Sequence, residues 1–224
     1  MLVNFVRGAP VEWLLDPDAE PWRKVSLERV ALVGTPVGLQ PTPAIRAAWA
    51  NKHIGAVSEV QVGAVHNGEV IAFRLDWQDG SENRELGDTT AFPDAAAVMI
   101  PVVAGAPLIT MGAPNQPVNT WYWRGDSDTQ GRQVLSEGIG TTRTVDQTLV
   151  RGHGIWKDGR WKVVIARPMK VTSAEKVVQL APGEKTQFAV AVWEGSNSER
   201  GGVKAFSGSW RDLVLAPAAD GGKV

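Results

Sequence analysis

Two pairs of strand-like segments, each joined by a tight-turn dipeptide, constrain the fold of this chain more than any other feature. Residues 56–65 and 70–77 flank Asn67-Gly68, and residues 148–156 and 161–167 flank Asp158-Gly159. Asn-Gly and Asp-Gly favour the positive φ angles that two-residue hairpin turns require. The sequence therefore predicts two antiparallel β-hairpins.

Further strand-like runs occupy much of the remaining chain, at residues 96–103, 118–124, 188–193 and 210–216. Helical periodicity is brief and is confined to residues 43–52. The chain also has 24 glycines and 14 prolines, which favour turns and loops. These features predict an all-β fold, a β-sandwich with long loops and a few short helices. We expect one domain over residues 1–216 and a flexible tail over residues 217–224.

One long uncharged segment, residues 95–123, has the length of a membrane-spanning helix. It contains Pro101, Pro107, Pro114 and Pro117, which interrupt a continuous helix. We therefore interpret it as a buried strand, a loop and a second buried strand, and predict no membrane span.

Composition excludes several classes of chemistry. The formal net charge is -1, so nothing attracts a nucleic acid by bulk charge. The chain has no cysteine, which excludes disulfides, cysteine-ligated zinc, covalent c-type haem and a thiolate-held iron–sulfur cluster.

His53, His66 and His153 do not have metal-ligand spacing, and we expect structural or surface roles for them. The N-terminus does not have the pattern of a secretory signal peptide.

The chain has ten tryptophans, and these allow two interpretations. Exposed tryptophans on a β-sandwich form a sugar-stacking platform, which makes a carbohydrate-binding module the alternative function. Buried tryptophans fill a core or line a cofactor cavity. Strand alternation places Trp121 and Trp123 on one face of their strand and Tyr122 on the other.

Two apolar, glycine-rich segments contain residues that can ligate a metal. Residues 95–112 include Met111, and residues 188–210 include Lys204. Composition alone favours core packing for the methionine and a solvated side chain for the lysine.

Five short motifs occur in a fixed order along most of the chain. They are Leu14-Leu-Asp, Ala64-Val-His-Asn-Gly, Thr110-Met-Gly-Ala, Pro117-Val-Asn-x-Trp-Tyr-Trp, and a closing Ala-Val-Trp…Glu-Arg-Gly-Gly-x-Lys…Ser-Gly. In this combination the sequence resembles the haem b-binding gamma subunit of ethylbenzene dehydrogenase and its relatives. These relatives include steroid side-chain, dimethyl sulfide, chlorate and selenate enzymes of the dimethyl sulfoxide reductase superfamily.

The resemblance implies a β-sandwich that encloses one non-covalent haem b with a methionine and a lysine as axial ligands of the iron. On this sequence these ligands are Met111 and Lys204. Met99 is the competing methionine and Met169 a more distant one. A lysine ligates iron only as a neutral amine, which an apolar cavity favours. The haem propionates need cationic or amide partners.

Three residues, Arg124, Arg200 and Asn119, lie near the predicted ligands in sequence and are candidate propionate partners. The choice between them stays open at this point.

The resemblance also implies a function without substrate chemistry in this chain. The expected protein is the electron-transfer gamma subunit of a heterotrimeric molybdenum dehydrogenase that hydroxylates a hydrocarbon or a steroid side chain with water. Its alpha subunit carries the molybdenum cofactor and its beta subunit carries iron–sulfur clusters. Electrons leave to an external acceptor such as a cytochrome. The expected location is the periplasm, reached by co-export with the alpha subunit.

Overall fold

The computed structural model describes residues 1–87, 91–127 and 129–218. Within them are three short α-helices, α1 (Val11–Leu15), α2 (Glu20–Arg23) and α3 (Pro43–Trp49), and two single-turn 3-10 helices. The strands are β1 (Leu2–Phe5), β2 (Glu28–Ala31), β3 (Val33–Gly34), β4 (Glu59–His66), β5 (Val70–Gln78), β6 (Ala95–Pro101), β7 (Val118–Arg124), β8 (Gly131–Ser136), β9 (Arg143–Asp146), β10 (Arg151–Lys157), β11 (Arg160–Pro168), β12 (Lys185–Trp193), β13 (Ala205–Phe206) and β14 (Arg211–Leu215).

Both predicted hairpins are present. β4 pairs with β5 and β10 pairs with β11, each antiparallel. The Asn67 side chain accepts hydrogen bonds from the backbone N–H groups of Glu69 and Val70, which closes the first turn. Asp158 and Gly159 have φ angles of 52° and 72° in the second turn, as the Asp-Gly pair predicts.

The strands form two layers that share one continuous hydrogen-bond network. The order is β10-β11-β5-β4-β1-β14-β12-β6-β7-β8-β9. Strand β12 forms the corner, because residues 185–188 pair with β14 while residues 189–193 pair with β6. The first layer therefore runs from β10 to β14, and the second runs from β12 to β9.

Alternation along the strands builds the core between the layers. In β7, Trp121 and Trp123 point into this core, where they meet Phe73 and Trp161 of the first layer. All four of these aromatic side chains are fully buried. Tyr122 faces the opposite side of the strand, as the alternation predicts.

Several elements lack a strong sequence signal and were not predicted. Strand β1 pairs in parallel with both β4 and β14, β8 lies between β7 and the edge strand β9, and the short strands β2, β3 and β13 branch from the main strand order. No helix in the described part of the chain has the length and apolar character needed to cross a bilayer. The predicted loose tail falls mostly on residues 219–224, which lie outside the described residues.

Candidate functional site

A cavity of about 420 Å³ lies against the outer face of the second layer. This volume is within the range of small-molecule and cofactor sites. The sequence predicts a sandwich that encloses its ligand, whereas this cavity lies outside the space between the layers. Among the described residues, the inter-layer space is filled by the tryptophan-rich core, which leaves little room there for a large ligand.

The floor of the cavity consists of the outward-facing residues of four adjacent strands. Small side chains at the centre of this face leave space for a broad ligand. The floor residues are Ala189, Ala191 and Trp193 of β12, Ala97 and Met99 of β6, Thr120 and Tyr122 of β7, and Val134 of β8. Loops and short segments over residues 35–41, 108–111, 139–142 and 201–206 provide the walls.

Met111 extends from the proline-rich loop between β6 and β7 and lines the cavity. Its φ angle is 56°, in the left-handed region that residues other than glycine seldom occupy. The next residue, Gly112, has a φ angle of 89°, and a Cβ there would lie 2.7 Å from the carbonyl oxygens of Gln116 and Ser136. Strained backbone of this kind is concentrated at functional sites. The turn therefore costs stability locally and orients the methionine.

Lys204 is held from the opposite wall by backbone pairing with the segment after β3. The Thr35 N–H donates to the carbonyl of Lys204 at 2.9 Å, and the Lys204 N–H donates to the Thr35 hydroxyl at 3.3 Å. The Thr35 hydroxyl in turn donates to the carbonyl of Gly202 at 2.7 Å. These contacts fix the backbone of the lysine, so its long side chain leaves the loop towards the cavity.

Gln40 supports the same loop. Its side-chain amide donates to the Gly202 carbonyl at 3.1 Å and to the Thr35 hydroxyl at 3.3 Å. A Cβ on residue 202 would lie 2.5 Å from Oε1 of Gln40, so a larger residue there would displace the Gln40 amide from this loop.

The two side chains meet inside the cavity. Nζ of Lys204 lies 3.6 Å from Sδ of Met111. A thioether is only a weak hydrogen-bond acceptor, and no carboxylate of the described residues lies within 4.0 Å of this amine. Only 5% of Lys204 is exposed. The contact with the thioether therefore offsets little of the free-energy cost of burying a charged ammonium group.

Burial lowers the pKa of Lys204 to about 8. The amine also lies 5.5 Å from the ring centre of Trp193, which packs edge-on against Tyr122. An amine with a lowered pKa reaches the neutral form, which has a free lone pair, more readily than an exposed lysine does. The arrangement therefore favours a lysine that donates its lone pair to a metal.

The other two candidate methionines differ in position. Met99 also lines the cavity, as part of the strand floor, and is buried in β6. Met169 lies in the core between the layers and does not line the cavity. The contact with Lys204 is made by Met111.

Two arginines line the cavity at one end. Arg124 and Arg132 also line an adjoining pocket of about 220 Å³ with Gln130 and Gln147. Arg124 makes a bidentate pair with Asp126, with both distances 2.6 Å, and Arg132 is exposed. The sequence did not single out Arg132 as a propionate partner. Its position between core-facing neighbours in β8 is a signal that could have found it, because strand alternation directs such a residue to the outer face.

The other two candidate propionate partners point elsewhere. Asn119 is fully buried and faces the core, where its side chain contacts Trp121 and Arg167. The Arg200 guanidinium lies over the ring of Phe92, 4.1 Å from its centre, and does not line the cavity. Of the three sequence candidates, the structure places only Arg124 at the site.

Most of the tryptophans are buried, and Trp13 alone is strongly exposed, at 56%. A single exposed ring does not form a platform of several stacking surfaces.

His66 is buried, and its ring nitrogen contacts the Ala216 carbonyl at 2.8 Å, a structural role that the sequence predicts.

A flat apolar cofactor with an acidic edge fits this donor set. The cavity is mostly apolar, an amine and a thioether meet inside it, and guanidinium groups stand at one end. Nitrogen and soft sulfur donors suit a transition metal and not Ca²⁺ or Mg²⁺. The residues present therefore fit an iron porphyrin.

Comparison with solved structures supports the β-sandwich architecture. A family 9 carbohydrate-binding module from Caldicellulosiruptor kristjanssonii in complex with glucose has a TM-score of 0.55 and 8% identity, covering 100% of this chain and 99% of that one. Its complex with cellotriose gives a TM-score of 0.56 and 9% identity, covering 100% and 98%. At such identity the likeness concerns the fold alone.

Sequence relatives identify the family. The chlorate reductase gamma subunit of Ideonella dechloratans is 35% identical over 161 residues, 70% of this chain and 65% of that protein. The dimethylsulfide dehydrogenase gamma subunit of Rhodovulum sulfidophilum is 26% identical over 212 residues, 91% and 76% of the two chains. A Haloferax mediterranei protein, ORF7, described as a heme subunit of a respiratory nitrate reductase, is 33% identical over 219 residues, 95% and 74% of the two chains.

A family model described as ethylbenzene dehydrogenase matches residues 19–148 and 138–205. The resemblance carried by the sequence motifs is confirmed. The chain belongs to the ethylbenzene dehydrogenase family of gamma-type haem subunits.

Proposed function

We propose that this chain is the electron-transfer gamma subunit of a heterotrimeric molybdenum enzyme, with one non-covalent haem b held between Met111 and Lys204. The observation that carries the proposal is the 3.6 Å approach of the lysine amine to the methionine sulfur inside an apolar cavity. A buried lysine without an oxygen acceptor is costly unless another group takes its lone pair. The family relatives described as gamma or heme subunits support the same role.

Each residue has a defined part in this proposal. Lys204 provides a neutral amine, and Met111 provides a thioether from the facing loop. Both are unbranched side chains that can adjust to an ion between them. Arg124 and Arg132 hold the propionates at one end of the cavity. When bound, haem supplies reversible one-electron chemistry, and methionine ligation raises its potential.

If Met111 and Lys204 both held the iron of a bound haem, no coordination site would be left for substrate or oxygen. The chain therefore transfers electrons and performs no substrate chemistry. In the proposed complex, the beta subunit carries iron–sulfur clusters and supplies the electrons, and the alpha subunit carries the molybdenum cofactor. A soluble cytochrome is the proposed external acceptor. Hydroxylation of a hydrocarbon or steroid side chain with water is the proposed reaction of the alpha subunit.

We place the complex in the periplasm, with this subunit exported together with an alpha subunit that has a twin-arginine signal. Fractionation of the native cells tests this placement. The haem absorbance should be found with periplasmic markers and should disappear from that fraction when the alpha signal is disrupted. Haem absorbance that stays in the cytoplasmic fraction of normal cells contradicts it.

An optical spectrum of the purified protein tests the central proposal. We expect a Soret band, a low-spin six-coordinate spectrum, a b-type pyridine haemochrome and about one iron per chain. Colourless protein from haem-sufficient cells contradicts the proposal. Tryptophan fluorescence that responds to an oligosaccharide in such colourless protein favours the carbohydrate-binding alternative.

A further inference from the structure

Three buried carboxylates meet at one end of the sandwich, away from the cavity described above. Asp79 follows β5, Asp94 precedes β6, and Glu194 follows β12. One oxygen from each can be chosen so that all three lie within 4.8 Å of one another. The residues are 4%, 0% and 7% exposed. The first comes from one layer of the sandwich and the other two from the facing layer.

The charge of this cluster is not balanced by nearby cations. Among the described residues, no lysine, arginine or histidine nitrogen forms an ion pair with any of the three carboxylates. Arg84 and Arg200 approach this region, but their guanidinium groups lie over the rings of Trp161 and Phe92. Burying several carboxylates without compensation is strongly unfavourable.

Burial raises the pKa of all three groups, that of Asp94 to about 6. Three buried carboxylates this close together need a compensating group, which is either shared protons or a bound cation, and the two possibilities have different consequences.

Glu199 shows how this fold satisfies a buried carboxylate when no cation is needed. It is 1% exposed, and its two oxygens accept four N–H groups at 2.7–3.1 Å, those of Gly55, Ala56, Asn197 and Glu194. Backbone and amide donors alone therefore stabilise this charge.

Asp79 does not have such donors. Oδ1 accepts a hydrogen bond from the Ser81 N–H at 3.0 Å, whereas Oδ2 is buried and accepts no N–H group. The neighbouring Glu194 carboxyl and Trp77 indole act on the Asp79 carboxyl and lower its pKa, against the larger effect of burial. Asp94 accepts three N–H groups, from Asn83, Gly195 and Trp161, which fix its orientation. The cluster thus combines a rigidly oriented carboxylate with a neighbouring carboxylate that has a buried oxygen without an N–H donor.

We propose that Asp79, Asp94 and Glu194 bind a structural divalent cation of the Ca²⁺ type. An all-oxygen, anionic donor set matches a hard cation and not zinc or copper. Calcium bonds of about 2.3–2.6 Å allow oxygens up to about 5 Å apart to share one ion, whereas magnesium needs shorter bonds and near-ideal octahedral geometry. The ion links the end of β5 to the ends of β6 and β12, so it stabilises the contact between the two layers.

The test uses full-length, haem-loaded protein that is treated with EDTA and then exchanged into metal-free buffer. Calorimetric titration with CaCl₂ should show one binding event per chain, and the thermal unfolding temperature should be higher in CaCl₂ than in EDTA. Binding to the folded state alone raises stability in this way.

Asp79→Asn retains an oxygen for the Ser81 N–H but removes the charge. It should weaken Ca²⁺ binding at least tenfold and abolish the CaCl₂-dependent shift. Glu194→Gln is the second variant and should have the same effect. Asp212→Asn changes an exposed carboxylate and should behave like the wild type.

Two results would overturn the proposal. One is a wild-type protein that gives no binding heat and unfolds at the same temperature in CaCl₂ and EDTA, which means that protons neutralise the cluster. The other is unchanged Ca²⁺ affinity in folded Asp79→Asn or Glu194→Gln protein. The Soret band is recorded in parallel, so failure of the cation site is distinguishable from failure of the haem proposal.

Discussion

Two buried basic side chains, Arg167 of β11 and Lys204 of the segment before β13, approach the second layer from opposite sides and differ in their hydrogen-bond partners. Arg167 lies in the core between the layers and is fully buried. Its guanidinium donates to five oxygens, Oδ1 of Asn119, Oε1 of Gln133 and the carbonyls of Pro168, Met169 and Val178, at 2.7–3.3 Å. It also lies 4.6 Å from the ring centre of Trp121. The amine of Lys204 also has an aromatic neighbour, the ring of Trp193 with its centre at 5.5 Å, but its hydrogen-bond contact is the thioether of Met111 at 3.6 Å, and no oxygen acceptor is found for it among the described residues.

The difference shows how a structural buried cation can be distinguished from a metal ligand. Burial lowers the pKa of Arg167 to about 10, which still leaves the guanidinium charged at neutral pH, and the fold surrounds it with oxygen acceptors. For Lys204 the fold provides a sulfur atom and an apolar cavity instead. Burial alone therefore does not indicate function, whereas the chemistry of the partners does.

The largest expected effect is on folding. Replacing Arg167 with Met leaves several buried acceptors unpaired, and we expect the free energy of unfolding to fall by about 3–5 kcal/mol. The same change at Lys204 removes no oxygen contact, and we expect a change below about 1 kcal/mol in haem-free protein. Urea unfolding followed by tryptophan fluorescence measures both. Equal losses in the two variants would contradict the comparison.

The next effect concerns the iron. Lys204→Ala should convert the low-spin spectrum to a high-spin or five-coordinate one, because the amine ligand is lost, and should weaken haem retention about tenfold or more. Optical spectra and haem transfer to apomyoglobin measure these changes. Lys185→Ala, at an exposed position of β12, is the control. A low-spin spectrum that persists in Lys204→Ala excludes Lys204 as an axial ligand.

The two cavity methionines provide a matched pair. Met111→Leu should lower the haem potential by about 60 mV or more, equivalent to a tenfold change in relative affinity for the two oxidation states, or else release the haem. Met99→Leu should leave both properties near the wild-type values. Redox titration of the two variants is the measurement. The reverse pattern would assign the ligand to Met99.

The smallest expected effect is at the charged end of the cavity. Arg132→Gln should increase the haem dissociation rate about two- to fivefold, because an exposed ion pair contributes less than about 1 kcal/mol. Arg23→Gln, at an exposed arginine of α2 that does not line the cavity, should have no effect. If Arg132→Gln retains haem as the wild type does, the propionates are held without this residue.

Local sequence was sufficient for much of the architecture. The Asn-Gly and Asp-Gly hairpins, the strand at residues 118–124 and a helix starting at Pro43 follow from turn chemistry and alternation, which act over a few residues. Alternation also indicates that Asn119 shares the core face with Trp121, although proximity in sequence made it a propionate candidate. The family motifs singled out Met111 and Lys204, whose ligand roles are still predictions.

Tertiary structure decided the features that depend on distant contacts. The parallel pairing of β1 joins strands from both ends of the chain, and short edge strands such as β9 have too few residues for a periodic pattern. The position of the cavity on the outer face, and not between the layers, depends on how completely the core tryptophans fill the interior.

The sequence by itself determined the longer strands and the two hairpins, and its family motifs singled out Met111 and Lys204 as the predicted ligands. Only the tertiary structure decided that Lys204 is buried next to Met111, that Arg132 stands at the cavity, and that Asp79 meets Glu194. Strand propensity and turn type are set by neighbouring residues, whereas burial and the choice of partners are set by segments that are far apart in sequence and close only in the folded chain.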